Sequence, residues 1–261
     1  MSDSSSRGRF VWYDLMTTDP DAAPKFYAAI AGWGTQQWSG ANSAMPPYTM
    51  WTVGQTPIGG LMQLPDQAAR MGAPPHWLAY IATTDVDATV KQAQKLGGKV
   101  LREPMDIPTV GRFAVLADPQ GAVFAPFASS NAPGPDVPPK VGEFSWHELA
   151  TTDHAKAFDF YTTLFGWERT NAMDMGEMGT YQMYGRDGKE LGGMFNAPSG
   201  IPPHWLFYIM VDSADRVAKR VKELGGKVLN GPMDIPGGGR IAQCLDPQGA
   251  AFALHSAAEK A

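Results

Sequence analysis

Cysteine is nearly absent: the 261 residues hold one, Cys244. A single thiol makes no internal disulfide and no Cys-x-x-Cys metal knuckle, so a reducing cytoplasm is the expected compartment. Histidine is also scarce, at five residues. Charged side chains make up 18% of the chain, the formal net charge is −5, and Lys and Arg are scattered. Nucleic-acid binding needs a concentrated basic footprint, so no nucleic-acid partner is expected. No run approaches the ~18 apolar residues of a membrane helix. The opening "MSDSSSRGRF" lacks the apolar core of a signal peptide. With 44% hydrophobic residues, the composition fits a soluble globular protein, long enough for two ordinary domains.

What the chain has in abundance is repetition. "FVWYDLMTTD" (10–19) returns as "FSWHELATTD" (144–153), and "FYAAIAGW" (26–33) as "FYTTLFGW" (160–167), both at an offset of 134. "PPHWLAYI" (74–81), "LGGKV" (96–100), "PMDIP" (104–108) and "DPQGA" (118–122) return at an offset of 128. The six-residue change falls between Trp33 and Pro74, where a loop is expected. A weaker echo inside each half, "TTDPDA" (17–22) against "TTDVDA" (83–88), divides the chain into four units. "SSNAPGPDVPPKVG" (129–142) reads as a linker between domains at 8–128 and 143–257.

Each unit reads as a strand, a helix and about three strands. In the first, Asp19 is a cap with Pro20 at the first helical position, Pro24 distorts the early turns, and Gly32 stops the helix. Asp153 and Gly166 bracket its sister, and Asp85 and Gly97 a third. Asp-Pro-Gln-Gly has the residues of a type I turn.

Four such units in two pairs resemble the vicinal-oxygen-chelate superfamily, which includes glyoxalase I, extradiol dioxygenases and bleomycin-resistance proteins. The carrying residues are "TTDPDAAPKFYAAIAGW", "TTDHAKAFDFYTTLFGW" and the "LGGKV…DPQGA" pattern of both halves. The resemblance looks closest to the tandem-domain, glyoxalase-like type. It implies an α+β fold of four βαβββ modules in two pairs, each pair forming a cup-shaped mixed sheet with helices outside. It also implies where a metal would be held, and those places are occupied by Trp12, Leu78 and Ala125 in the first half and Trp146, Leu206 and Ala253 in the second. None of these side chains coordinates a divalent cation, so no metal of the superfamily type and no cofactor are expected.

Strand alternation then lists what lines each cup. If Leu78 faces inward, so do His76 and Tyr80, and likewise His204, Leu206 and Tyr208. On the first strands, Trp12 with Asp14 and Trp146 with Glu148 face the same way. Glu148, His204 and Tyr208 are the candidate catalytic residues for acid–base chemistry. Trp12, Asp14, His76, Tyr80, Arg112, Trp146, His147 and Arg240 are candidate ligand contacts. The structural alternatives stay open: the histidines as strand-opening residues, the carboxylates in ion pairs with Arg112 or Arg240, His147 as a core residue facing away from the cup. The glycine pairs Gly59–Gly60 and Gly192–Gly193 are expected to admit close backbone approach. The expected function is that of a glyoxalase-like enzyme, lyase or oxidoreductase, acting on a small carbonyl or hydroxylated compound without a metal. A sequestering small-molecule binder of the bleomycin-resistance type is the alternative, and a structural partner with vestigial cups a third. A monomer or homodimer is expected.

Overall fold

The computed structural model describes residues 6–38, 48–132 and 134–258. Four strand–helix–strands modules follow one another. The first holds β1 (Phe10–Thr17), α1 (Ala23–Ala31), β2 (Gly34–Trp38), β3 (Tyr48–Val53) and β4 (Thr56–Gln63), trailed by the short α2 (Asp66–Arg70). The second holds β5 (His76–Ala82), α3 (Val86–Lys95), β6 (Lys99–Ile107), β7 (Gly111–Ala117) and β8 (Val123–Ser129). The third holds β9 (Phe144–Thr151), α4 (His154–Phe165), β10 (Glu168–Asp174), β11 (Thr180–Arg186) and β12 (Lys189–Asn196). The fourth holds β13 (His204–Met210), α5 (Ala214–Glu223), β14 (Lys227–Asp234), β15 (Arg240–Leu245) and β16 (Ala251–Ser256).

The strands form two mixed sheets of eight, in the orders β2-β3-β4-β1-β5-β8-β7-β6 and β10-β11-β12-β9-β13-β16-β15-β14. Within a module the first strand runs parallel to the last, as in Asp14↔Gly60 and Glu148↔Gly193. A parallel pair needs a crossover, and the helix supplies it. The fold is α+β, as the resemblance implied.

Two local expectations change. Helix α1 begins at Ala23, not beside Asp19, and its Pro24 stands in the first turn. Proline has no N–H to give, and the first turn is where none is needed. The Asp19 carboxylate instead accepts from the Ala22 N–H at 2.9 Å, closing a turn ahead of the helix. The offset change is also mostly helical rather than loop. From Gln63 to His76 the chain takes 13 steps, against 8 from Asn196 to His204, and α2 fills the extra length. The rest of the change lies around residues 39–47, outside the described residues. Asp85 and Asp153 cap α3 and α4 through their side chains, and Gly32 and Gly166 end α1 and α4 at φ 70° and 72°, a conformation glycine adopts without strain.

The described residues gather into two compact units, each drawing on both halves of the chain. One comprises the chain through Trp12, Leu78–Asp136 and His147–Trp205; the other comprises Tyr13–Trp77, Val137–Trp146 and the chain from Leu206 onward. The repeated motifs make the same network in each. In the first unit the Trp205 indole N–H donates to Tyr161 Oη, which donates to Asp118 at 3.1 Å. In the second, Trp77 donates to Tyr27, which donates to Asp246 at 3.1 Å. Asp118 and Asp246 also accept backbone N–H groups of their own Asp-Pro-Gln-Gly turns, from Gly121 and Gln248. Trp167 and Trp33 then donate to the carbonyls of Gly8 and Gly142, at 2.8 and 2.6 Å. Such buried bonds leave no indole or phenol polar atom of these pairs unsatisfied, which large buried aromatics otherwise risk.

Candidate functional site

On β1 and β9 the side chains alternate, so Asp14 and Glu148 point to one face while Tyr13 and His147 point to the other. Both carboxylates are buried, at 2% and 8% exposure. A buried carboxylate is costly unless hydrogen-bonded. The bond comes from a tyrosine in each unit: Tyr48 Oη donates to Asp14 at 2.6 Å, and Tyr181 Oη donates to Glu148 at 3.0 Å. Tyr48 opens β3 and Tyr181 is the second residue of β11, and their rings reach the carboxylates by lying directly over Gly60 and Gly193. A Cβ on Gly193 would collide with the Tyr181 ring, and one on Gly60 with the Tyr48 hydroxyl. The glycines thus admit close approach, of a ring from the neighbouring strand.

Arg112 and Arg240 are bound elsewhere. Arg112 donates to Asp87 at 2.7 and 3.1 Å and to Asp106 at 3.0 Å. Arg240 repeats this with Asp215 at 2.5 and 3.0 Å and Asp234 at 2.5 Å. Each arginine joins a helix's first turn to the start of a hairpin, and the neighbouring carboxylates raise its pKa. The alternative in which these arginines pair with Asp14 and Glu148 is therefore replaced by tyrosine partners. Asp106 and Asp234 are the cross-strand partners in the same hairpins, while Asp87 and Asp215 come from helices 25 residues back along the chain.

His76 and His204 behave alike. Each ring donates from Nδ1 to a carbonyl two residues back, Pro74 at 2.7 Å and Pro202 at 2.8 Å. That acceptor assigns the tautomer, so Nε2 carries the lone pair. Burial holds the His76 pKa below the usual histidine range. His147 is a different case. It is stacked on Phe10 with ring centroids 3.7 Å apart, donates to the Leu191 carbonyl at 2.7 Å, and is pushed down by burial to about 4. It is a neutral histidine packed on the face opposite Glu148, as strict alternation requires.

Tyr80 is buried in the first unit between Phe113 and Phe127, at centroid distances of 5.6 and 6.2 Å. Its counterpart Tyr208, in the second unit, is buried with Leu206 and Ala253, and half-buried Trp146, Ile241 and Ala251 pack against them. Gln243 donates to Tyr208 Oη at 3.4 Å. Trp12 is half-buried on β1. Cys244 is fully buried on β15, and burial pushes its thiol up to about 12.

A metal of the expected kind can be tested on these residues. At the three places implied for ligands in the second half, Trp146, Leu206 and Ala253 touch one another in an apolar cluster. In the first half Ala125 lies opposite Tyr80. Indole, isobutyl and methyl groups offer no lone pair to a divalent cation, so this donor set does not fit one. Among the described residues no three His, Cys, Asp or Glu side chains gather into a metal-holding group.

Three contributors escaped the sequence reading: Tyr48, Tyr181 and Gln243. For the tyrosines a signal existed, since "YTMW" (48–51) and "YQMY" (181–184) are one more repeat. Gln243 stands opposite Val115 in the repeat and carried no such signal.

The geometry sits within a known family. Residues 143–254 match the model of the Glyoxalase/Bleomycin resistance protein/Dioxygenase superfamily, and residues 11–126 match a Glyoxalase-like domain. The chain belongs to that superfamily, in its two-domain form. It is 34% identical over 244 residues to CFP32 of Mycobacterium tuberculosis, a protein provisionally named a glyoxylase, covering 93% of this chain and 92% of that one. It is 32% identical over 263 residues to the anthracycline biosynthesis protein DnrV of Streptomyces peucetius, covering 95% and 92%. Among solved structures, the Mn(II)-bound glyoxalase of Novosphingobium aromaticivorans superposes with a TM-score of 0.62 at 19% identity, covering 97% of this chain and 83% of that one. The 2,2',3-trihydroxybiphenyl 1,2-dioxygenase of Sphingomonas wittichii superposes at 0.64 and 14% identity, covering 96% and 90%. At such identities the likeness is one of fold. No helix among the described residues is long and apolar enough to cross a membrane.

Proposed function

We propose that the chain is a glyoxalase-like small-molecule enzyme that works without the metal centre of its superfamily. The observation that carries this is the buried carboxylate held by a tyrosine, built twice at matching places, Asp14 with Tyr48 and Glu148 with Tyr181. Glu148 is assigned the acid–base role, taking a proton from a carbon beside a carbonyl or from a hydroxyl of a small substrate. Tyr181 is a positioning residue that fixes the carboxylate and keeps one of its oxygens engaged. His204, in the same unit, has its Nε2 lone pair set by the Pro202 bond and is assigned the second proton-moving role. Trp12, Asp14, His76, Tyr80, Trp146 and Tyr208 are assigned to ligand contact, each within its own unit. The unsuitability of Trp146, Leu206 and Ala253 as ligands supports metal independence.

The test is turnover of a panel of small carbonyl and hydroxylated compounds by the purified protein, with and without a chelator, beside Glu148→Gln. Activity that survives chelation and falls by about 10²-fold or more in Glu148→Gln is expected, the usual weight of a general acid–base group. Chelator-sensitive activity with a stoichiometric metal would overturn the proposal. The second reading, sequestration without turnover, is favoured by the apolar cluster around Trp146. Mass spectrometry separates the two: ligand recovered unchanged after prolonged incubation supports sequestration.

A further inference from the structure

The Pro- and Gly-rich segment that joins the two halves is docked at Gly134, Pro135 and Asp136. Residues 134–140 are all exposed, so burial of apolar surface does little to hold them. Three cationic side chains of the same compact unit hold them instead. Arg9, just before β1, donates from its guanidinium to the carbonyls of Gly134 at 2.8 Å and Pro135 at 3.1 Å. Lys189, at the start of β12, donates to the Asp136 carbonyl at 2.9 Å. The Asp136 carboxylate gathers all three cations: Arg186 at 3.2 Å, Lys189 at 3.3 Å and Arg9 at 3.8 Å. Arg186 closes β11, its side chain is 8% exposed, and it also pairs with Asp187 at 2.7 Å. The trio does not belong to the repeated framework. At the matching places of the repeat stand Glu143, Val53 and Thr56, none of them a cation.

We infer that Asp136 is the latch of an ionic clasp that docks the linker, and that the clasp opens as ionic strength rises while the unit around it stays folded. Asp136 is the one acid between Ser129 and Gly142, so no second carboxylate in the linker can take its place. The attachment points are three consecutive residues with no buried side chain among them. Losing the carboxylate therefore leaves the carbonyl bonds from Arg9 and Lys189 to hold the segment alone. Attraction between such part-exposed charges is screened by salt. The core of the unit rests on buried aromatics and on the relay Trp205–Tyr161–Asp118, which salt does not screen in this way. When the latch opens, Arg186 keeps Asp187, so its largely buried guanidinium retains a counter-charge. That is what separates opening from unfolding, since a buried charge stripped of its partner destabilises strongly.

The test uses the full chain with a nitroxide on Gly134→Cys, where an added Cβ meets no atom within 4 Å. Cys244 is fully buried and does not compete for the label. The electron paramagnetic resonance line shape then reads the motion of the strap, and a slow component is expected at about 0.1 M salt. Asp136→Asn, which removes the charge and keeps the shape, is expected to raise the fast-to-slow ratio about tenfold, the weight of one charge-assisted bond. Going to about 1 M salt, which shortens the screening length from about 10 Å to about 3 Å, should do the same with Asp136 present and add little to Asp136→Asn. Lys189→Thr, the residue the repeat carries there, should shift the ratio the same way. Lys140→Gln, a linker charge outside the clasp, should not. Acetylation of Lys189 in the unlabelled chain decides the matter if the label itself loosens the strap, and is expected to run at least about twofold faster in Asp136→Asn. Equal line shapes and equal acetylation rates with and without Asp136 would overturn the latch. A salt response undiminished in Asp136→Asn, an equal effect of Lys140→Gln, or loss of circular dichroism alongside the opening would overturn it too.

Discussion

Replacing Gly193 by alanine tests whether the ring of Tyr181 reaches Glu148 only because β12 has no side chain there. The three nearest atoms to a built Cβ are Cε1, Cζ and Oη of Tyr181, all far inside contact distance. The ring must leave. Overpacking of this kind costs about 1–3 kcal/mol. Loss of a hydrogen bond to a buried carboxylate costs about 1.5–3 kcal/mol more. Alanine recovers about 0.5–1 kcal/mol of backbone entropy that glycine gives up in a strand. The steric and polar losses win, and a net destabilisation of about 2–5 kcal/mol is expected by equilibrium urea unfolding with an unchanged slope. In a Tyr181→Ala background the obstruction is gone, so Gly193→Ala should become neutral or slightly stabilising, a coupling of at least about 1.5 kcal/mol. Gly192→Ala is the control. Its nearest atom is the His147 carbonyl oxygen, part of the backbone, so trimming Tyr181 should leave most of its cost in place. The reasoning is refuted if Gly193→Ala unfolds like the unaltered chain, or if its cost persists when the tyrosine ring is removed.

Two further outcomes follow from burial. His147 has a folded pKa of about 4 against an ordinary 6.5, so the unfolded chain takes up this proton at higher pH than the folded one. The stability it contributes is present above pH 6.5 and is lost as pH falls toward 4, by up to about 3 kcal/mol. His147→Phe, which keeps a ring against Phe10, should flatten the acid limb of stability between those values in urea titrations; an unchanged limb would show that His147 is protonated in the fold. Cys244, pushed up to about 12, should resist a thiol reagent at pH 8 in the folded protein and react fully in denaturant. Rapid labelling of the native chain would contradict its placement.

Much of the fold was legible because the chain repeats itself. The strand–helix–strands order, the caps Asp85 and Asp153 and the stops Gly32 and Gly166 follow from local chemistry acting within a few residues. The start of α1 was misjudged for the same local reason, since Asp19 and Pro20 look like a helix opening until Pro24 claims the first turn. The carboxylates were found because a charge in the middle of a strand is conspicuous. Their partners were not, because Tyr48 and Tyr181 arrive from a neighbouring strand over glycines, and no spacing along the chain announces that. For Arg112 and Arg240 the alternative partners Asp14 and Glu148 gave way to nearer acids: each arginine binds the acid across its own hairpin, Asp106 or Asp234, and a second one in a helix's first turn, Asp87 or Asp215.

The most visible repeats serve the framework. "PPHW" supplies the tryptophan, "FY" the tyrosine and "DPQG" the aspartate of a single buried relay, made once in each unit. A relay of three hydrogen-bonded side chains constrains all three identities at once, so it survives duplication unchanged. Sheet positions outside the relay carry no such mutual constraint. That is where Val115 stands against Gln243, Phe113 against Ile241 and Phe127 against His255. Identity between the halves therefore marks residues whose partners are other side chains, and the Asp14–Tyr48 and Glu148–Tyr181 pairs show the limit of that constraint, since the acid changes length while its tyrosine partner stays.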